Sequence, residues 1–162
     1  MNIRLLVSLL LCGIITGCGW HLRGAQDSPS NIDSMVLNAA SPYSKTTRAM
    51  EKQIKLHKIK STGTNTLHLQ LINEKMKNNT LAFSDNNYPA TIEIQLEVRF
   101  SVTNAAGETV IAPNIERVVR VYQSDSNRRL AGDRELDLIR DELYDEIAIN
   151  ILRRIDYIAG LH

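Results

Sequence analysis

The chain has 162 residues, of which 43% are apolar and 23% are charged, the balance of one folded domain rather than of a disordered tail or a protein with several membrane spans. Its formal net charge is +1, and Arg4 is the one charged side chain of the first seventeen residues, so the rest of the chain carries equal numbers of basic and acidic groups. A neutral domain gives no electrostatic argument for binding nucleic acid.

The first eighteen residues have the order of a bacterial secretory signal. Arg4 is followed by an apolar run over residues 5–15, which is too short for a permanent membrane span. The string Ile15-Thr16-Gly17-Cys18 resembles the bacterial lipobox. We therefore predict a signal peptide over residues 1–17, cleavage before Cys18 and lipidation of that cysteine. An ordinary signal peptide with a cysteine near its cleavage site is the alternative.

The cysteine count favours the lipoprotein interpretation. Cleavage before Cys18 discards Cys12 and leaves one thiol in the mature chain, at its first residue. A lone thiol there would be exposed to oxidation outside the cytoplasm, whereas lipidation consumes it. Several acyl chains make a stable membrane anchor without a transmembrane segment. In lipoproteins of this kind, Asp after the cysteine favours retention at the inner membrane; the residue here is Gly19, so we expect delivery to the outer membrane.

The mature chain begins with a tether and continues into one domain. Residues 18–31 are predicted to be the lipidated N-terminus and tether, since they are rich in small, polar and turn-forming residues, and residues 32–162 are predicted to fold. Met35-Val36-Leu37 has the pattern of a short buried strand. Ser41-Pro42 has the pattern of an N-cap followed by the first helical residue, which predicts a helix over residues 42–57.

Three further strands are predicted from alternating apolar residues. They cover residues 67–71, 92–103 and 115–123, and the alternation is strict over the second of them. Turn-forming residues at 84–87 and 104–107 predict the connections before and after that strand, the first of them as the tip of a long hairpin.

A final helix is predicted from Asp133, as its N-cap, to Gly160, as its C-terminal stop. Its apolar residues step by three or four positions along one stripe: Leu136, Ile139, Leu143, Ile147, Ile151, Ile155 and Ile158. The fold class is therefore α+β, with one antiparallel or mixed sheet of about four strands and two helices packed on one face, in the order β-α-β-β-β-α.

The residues offer little chemistry. No histidine stands at a metal-ligand spacing, and no nucleophile motif or phosphate-binding loop is present, so we expect no enzyme, metal or cofactor. A basic stretch over residues 45–60 and an acidic stretch over residues 133–156 are typical of solvated helix faces.

The string Cys18-Gly19-Trp20-His21-Leu22-Arg23-Gly24 resembles the start of mature members of the LptE family of LPS-assembly lipoproteins. The likeness extends along the chain, through the strand and Ser-Pro before the first helix, the long alternating strand, and the segment from Asp137 to Asp145 of the last helix.

The resemblance implies a function without catalysis. Members of this family are lipid-anchored in the outer membrane, plug and help to assemble the LptD β-barrel, and assist delivery of lipopolysaccharide to the outer leaflet. The resemblance therefore implies LptD and lipopolysaccharide as partners. Because lipopolysaccharide carries phosphates, Arg128 and Arg129, in the loop before the last helix, and Arg134, at its start, are the candidate contacts. Solvated loop arginines are the alternative.

Two other classes of function are kept as alternatives. One is a lipid-anchored periplasmic adaptor or chaperone of another envelope secretion or assembly machine. The other is a lipid-anchored hydrolase or free-standing binding protein, which would need a deep pocket with converging polar groups.

Overall fold

The computed structural model describes residues 31–85, 87, 89–124 and 129–160. Within these ranges six elements follow one another: β1 (Met35–Ala39), α1 (Lys45–Leu56), β2 (Leu67–Phe83), β3 (Pro89–Thr103), β4 (Thr109–Gln123) and α2 (Arg129–Ala159). The strands form one sheet in the order β1-β2-β3-β4, in which β1 is parallel to β2 and the other neighbours are antiparallel. The predicted mixed sheet and the predicted order of elements are confirmed.

The hydrophobic core lies between both helices and one face of the sheet. Met50 of α1, Phe100 of β3 and Ile147 of α2 have no exposed surface. The alternation predicted over residues 92–103 places every second side chain of β3 in this core, from Ile94 to Val102. The predicted stripe of α2 packs against them, with its central members fully buried and its ends half-buried. Burial of both apolar patterns on the same side explains why the two helices share one face of the sheet.

β2 extends far beyond its predicted end at residue 71, to Phe83. A bulge at Ile72 reverses the alternation, because it inserts one extra residue opposite β3. Leu69 and Leu71 face the core before the bulge, and Met76 does so after it, opposite Leu96. The part of the strand beyond the bulge is mostly polar, which is why its sequence carries no strand signal.

β4 begins at Thr109 rather than at the predicted Ile115. Pro113 therefore lies inside the strand, where it lacks the amide that a central strand would need. It is tolerated because β4 is an edge strand and because residues 112 and 113 form a bulge opposite Ser101.

Both helices begin at residues other than those predicted. The N-cap of α1 is Ser44 and not Ser41, since Thr47 N donates to Ser44 Oγ over 3.2 Å. Ser41 instead begins a turn, in which its carbonyl accepts from Ser44 N over 3.1 Å. α2 begins at Arg129, so Asp133 lies inside the helix and is not its cap. Its end at Ala159, directly before Gly160, agrees with the prediction.

The predicted turn at residues 104–107 joins β3 to β4. Asn104 Oδ1 accepts from the backbone amides of Ala106 and Glu108, over 3.0 and 2.9 Å, and so closes the loop on itself. Gly107 adopts a φ of 83°, a left-handed conformation that side chains disfavour.

Candidate functional site

The described helices both lie on the core side of the sheet, and no element of the described part of the chain covers the opposite face. We call that opposite face the open face. It is made of the alternate side chains of β3 together with their neighbours across the two strand registers. Its members are Asn73, Lys75, Lys77 and Asn79 of β2, Glu93, Gln95, Glu97 and Arg99 of β3, and Ile115, Arg117, Val119 and Val121 of β4.

A ladder of ion pairs crosses the middle of the open face. Lys77 Nζ lies 3.2 Å from Glu97 Oε2, and Arg117 Nη2 lies 2.7 Å from Glu97 Oε1. Gln95 Nε2 donates a further hydrogen bond of 2.6 Å to Glu97 Oε1. The hydrogen bond from Lys77, aided by that from Arg117, holds the pKa of Glu97 below its ordinary value. The carboxylate therefore stays charged and links three strands.

An apolar strip lies beside the ladder, along β4. Ile115, Val119 and Val121 are 42%, 38% and 57% exposed, although they are interior residues of a strand. Exposed aliphatic side chains that occur singly need no explanation, but three of the four open-face positions of β4 are aliphatic, with Arg117 between Ile115 and Val119. The open face thus combines charged, amide and aliphatic groups, as contact surfaces between proteins do.

The basic and acidic stretches of the sequence meet at the junction of the two helices. Lys45 Nζ lies 2.8 Å from Asp141 Oδ1, and Lys52 Nζ lies 2.6 Å from Asp145 Oδ2. The hydrogen bond to Asp141 raises the pKa of Lys45. Part of each charged stretch therefore joins α1 to α2. These side chains form ion pairs across the helix junction in addition to contacting solvent.

The structure describes only some of the predicted site residues. Cys18 and Arg128 lie outside the described residues. Arg129 was predicted to lie in the loop before the last helix, but it is the first residue of α2. Arg134 is exposed and lies in the second turn of α2, not at its start. The helix begins earlier than its capping pattern indicated, so Arg129 and Arg134 both belong to α2.

A cleft of about 660 Å³ opens at the end of the sheet near Asn31. Asp33 and Glu108 contribute carboxylates to it, and the other lining residues are polar or aliphatic. Neither cysteine nor histidine is among the lining residues. Across the described ranges, no group of three or more His, Cys, Asp or Glu side chains is placed to hold a metal ion. No helix in the same ranges has the length and apolar character to cross a membrane.

The ladder at Glu97 was not predicted, because Lys77 lies in the polar half of β2 that carries no strand signal. The available signal was the hairpin itself. Counting the antiparallel register back from the predicted turn at residues 84–87 places the polar residues of β2 opposite the alternating face of β3, and so brings lysines beside Glu97.

A family model described as "LptE: Lipopolysaccharide-assembly" matches residues 32–155. The LPS-assembly lipoprotein LptE of Pectobacterium atrosepticum is 26% identical over 151 residues, which are 91% of this chain and 81% of that protein. The protein of the same name from Photorhabdus laumondii is 26% identical over 160 residues, which are 96% of this chain and 87% of that protein.

Solved structures share the fold. The rare lipoprotein B of Shewanella oneidensis superposes with a TM-score of 0.65 at 24% identity, covering 75% of this chain and 92% of that one. A lipoprotein B from Nitrosomonas europaea superposes with a TM-score of 0.67 at 14% identity, covering 80% of this chain and 85% of that one.

Proposed function

Because the chain belongs to the LptE family of lipopolysaccharide-assembly proteins, we propose that it is an outer-membrane lipoprotein that plugs and helps to assemble an LptD β-barrel. In that position it assists delivery of lipopolysaccharide to the outer leaflet. The observation that carries this proposal is the match of the family model to residues 32–155, nearly the whole predicted domain. The same match disfavours the alternative of an adaptor for a different envelope machine.

The proposed division of the chain follows from its first residues. Residues 1–17 are removed as a signal peptide, residues 18–31 carry the lipid and the tether, and the domain occupies residues 32–162. The lipobox-like string that ends at Cys18 supports the anchor, and Gly19 supports delivery to the outer membrane. The relatives from Pectobacterium and Photorhabdus are themselves called lipoproteins.

The polarity of the domain suits the inside of a large barrel. Residues that face a barrel lumen are polar, and the lumen of a wide barrel holds water. The open face presents charged and amide side chains in its middle, so it can lie against such a wall without burying unpaired polar groups in lipid.

The anchor is tested by mass spectrometry of the mature protein purified from membranes. We expect the native N-terminus to carry acyl mass on Cys18. The Cys18→Ala variant should lose that mass while its circular dichroism stays unchanged, because residue 18 lies outside the predicted domain. A native protein without lipid would overturn the anchor and, with it, the proposed location.

The partner is tested by affinity purification from detergent-solubilised outer membranes. We expect an LptD barrel protein in stoichiometric amount, identified by mass spectrometry. Depletion of the chain should also make the cells permeable to hydrophobic antibiotics, because an impaired supply of lipopolysaccharide weakens the outer-leaflet barrier. Absence of the barrel protein from the purified material, together with an intact barrier after depletion, would refute the proposal.

We propose that Arg128, Arg129 and Arg134 contact lipopolysaccharide phosphates. Hydrogen bonds between a guanidinium and a phosphate are charge-assisted and strong. Replacing all three by Ala should weaken binding of purified lipopolysaccharide at least tenfold, since each such bond is worth about 1.5–3 kcal/mol. Arg153→Ala, at an exposed position of α2, is the matched control. Equal binding by the triple variant and the control would remove these residues from the site.

A further inference from the structure

The open face carries more positive than negative charge. Its cations are Lys75, Lys77, Arg99 and Arg117, and its anions are Glu93 and Glu97. The ladder uses Lys77 and Arg117, whereas Lys75 and Arg99 form no ion pair within the described part of the chain. These two lie diagonally across the β2–β3 register, since Lys75 is opposite Glu97 and Arg99 is opposite Asn73. A partner that covers the open face must offer carboxylates to them, because burying an unpaired cation is costly.

The apolar strip adds a second requirement. Ile115 is opposite Arg99, Val119 is opposite Gln95 and Val121 is opposite Glu93, so these aliphatic side chains flank Arg117, the member of the ladder on β4, on both sides. A partner surface that fits must therefore place aliphatic groups beside its carboxylates. Such a pattern favours a specific protein contact, because aliphatic side chains exposed only by chance would be scattered and would not lie together on one face of a strand.

The outer side of the whole three-stranded region approaches the area of a standard interface. The named members of the open face span seven residues on each strand, about 23 Å by 14 Å or roughly 330 Å², and the three strands continue to about 50 Å, which gives roughly 700 Å² in all. Stable protein pairs bury about 800 Å² on each partner. A small ligand would leave most of such a surface uncovered.

A second copy of the chain does not fit this surface. The common symmetric dimer places the same patch against itself. Lys75 and Arg99 would then meet the same excess of positive charge on the other copy, which is repulsive.

We propose that the open face is the surface through which this domain contacts its barrel partner, and that the facing wall of the barrel carries carboxylates opposite Lys75 and Arg99 and aliphatic side chains opposite the strip of β4. The inference rests on the proposed function, in which the partner is an LptD barrel. It adds which face of the domain is buried in the complex and the chemistry of the wall that covers it.

The test compares two charge reversals in the full-length lipoprotein, expressed in place of the native copy. One variant combines Lys75→Glu with Arg99→Glu on the open face, and the other combines Lys55→Glu with Arg153→Glu on exposed positions of the two helices. Both change the net charge equally. We expect the first to lose at least tenfold of the co-purified barrel protein, measured by quantitative mass spectrometry, and the second to stay within twofold of wild type.

An apolar pair of variants tests the strip independently. Val121→Asp places a charge on the open face, and Leu138→Asp places one on the outer side of α2, where the side chain is 65% exposed. Barrel recovery should fall only for Val121→Asp. Should either open-face variant unfold, a photo-crosslinking residue at Val119 keeps the surface apolar and should link the chain to the barrel protein.

The outcomes separate the two proposals. Recovery of the barrel with wild type and equally with all open-face variants would overturn the inference but leave the proposed function standing. Loss with Leu138→Asp instead of Val121→Asp would move the contact to α2 and also overturn it. A crosslinked product consisting of two copies of this chain would replace the barrel by a homodimer. Failure of wild type itself to recover the barrel would overturn the proposed function and, with it, the inference.

Discussion

Replacing Ile147 by Ala should destabilise the domain strongly, because this side chain lies at the centre of the contact between α2 and the sheet. Ile147 has no exposed surface, so none of the lost contacts can be replaced by water at an open edge. The change removes three buried carbon groups, worth about 0.8 kcal/mol each in transfer free energy. A cavity that relaxes only partly adds to this, which brings the expected loss to about 3–4 kcal/mol.

Urea denaturation followed by circular dichroism measures this loss, on protein produced without residues 1–18. A loss of that size should also lower the melting temperature by about 10–15 °C for a domain of this length. Leu138→Ala is the matched control in the same helix, since Leu138 is 65% exposed, and it should change the free energy of unfolding by less than about 0.5 kcal/mol. Equal small effects of both variants would refute the packing of α2 on the sheet.

Three further predictions concern the ladder, the helix junction and a turn. The Lys77 hydrogen bond lowers the pKa of Glu97, so the stability that Glu97 contributes is present above its ordinary pKa of 4.5 and is lost as pH falls through the lowered value. The difference in unfolding free energy between wild type and Glu97→Gln should therefore shrink in acid. A difference that does not depend on pH would contradict this. Lys52→Ala breaks an exposed pair with Asp145 and should cost less than about 1 kcal/mol, an effect that high salt should remove; an undiminished cost in salt would show that packing rather than charge is lost. Gly107→Ala should destabilise by about 1–2 kcal/mol because residue 107 has a φ of 83°, and an unchanged urea midpoint would refute the strain.

The two faces of the sheet have different roles: one supports the folded structure, and the other is the proposed contact surface. The face toward the helices holds the core, so substitutions there are expected to affect folding first. Most side chains of the open face are exposed, including Lys75, Arg99 and Val121, whereas the side chains around the ladder are half-buried and that of Glu97 is only 15% exposed. Substitutions at Lys75, Arg99 and Val121 are therefore expected to change binding with little change in stability, which makes the open face suitable for testing contacts.

The strands and helices were predictable where one pattern repeats without interruption. β3 alternates strictly, and one side of a sheet in water requires that alternation, so its face toward the core followed directly from the sequence. The stripe of α2 was predictable for the same reason, with a period of three to four residues. Helix beginnings were less predictable, since Ser41-Pro42 and Asp133 both have capping chemistry and neither stands at the start of its helix. In α1, for example, Ser44 caps the helix while Ser41 is held in a turn.

The polar half of β2 and the start of β4 were not predictable from local pattern. β2 continues past Ile72 because β3 offers a long, unpaired edge whose backbone groups need partners, and this requirement is independent of the side chains that β2 supplies. A proline is typical of the edge-like start of a strand, yet β4 begins at Thr109 and continues through Pro113, because its outer edge pairs with no other described strand and a bulge accommodates the proline.

The sequence alone determined the fold class and the two apolar faces that build the core, because each depends on residues that are close along the chain, and for the same reason it predicts the anchor at Cys18. Only the tertiary structure decided which polar residues stand together. Lys77, Glu97 and Arg117 are twenty residues apart at each step, and the β2–β3 and β3–β4 pairings bring them into one ladder. Strand register is a property of the whole sheet, so a contact surface built across three strands exists only once the hairpins have closed.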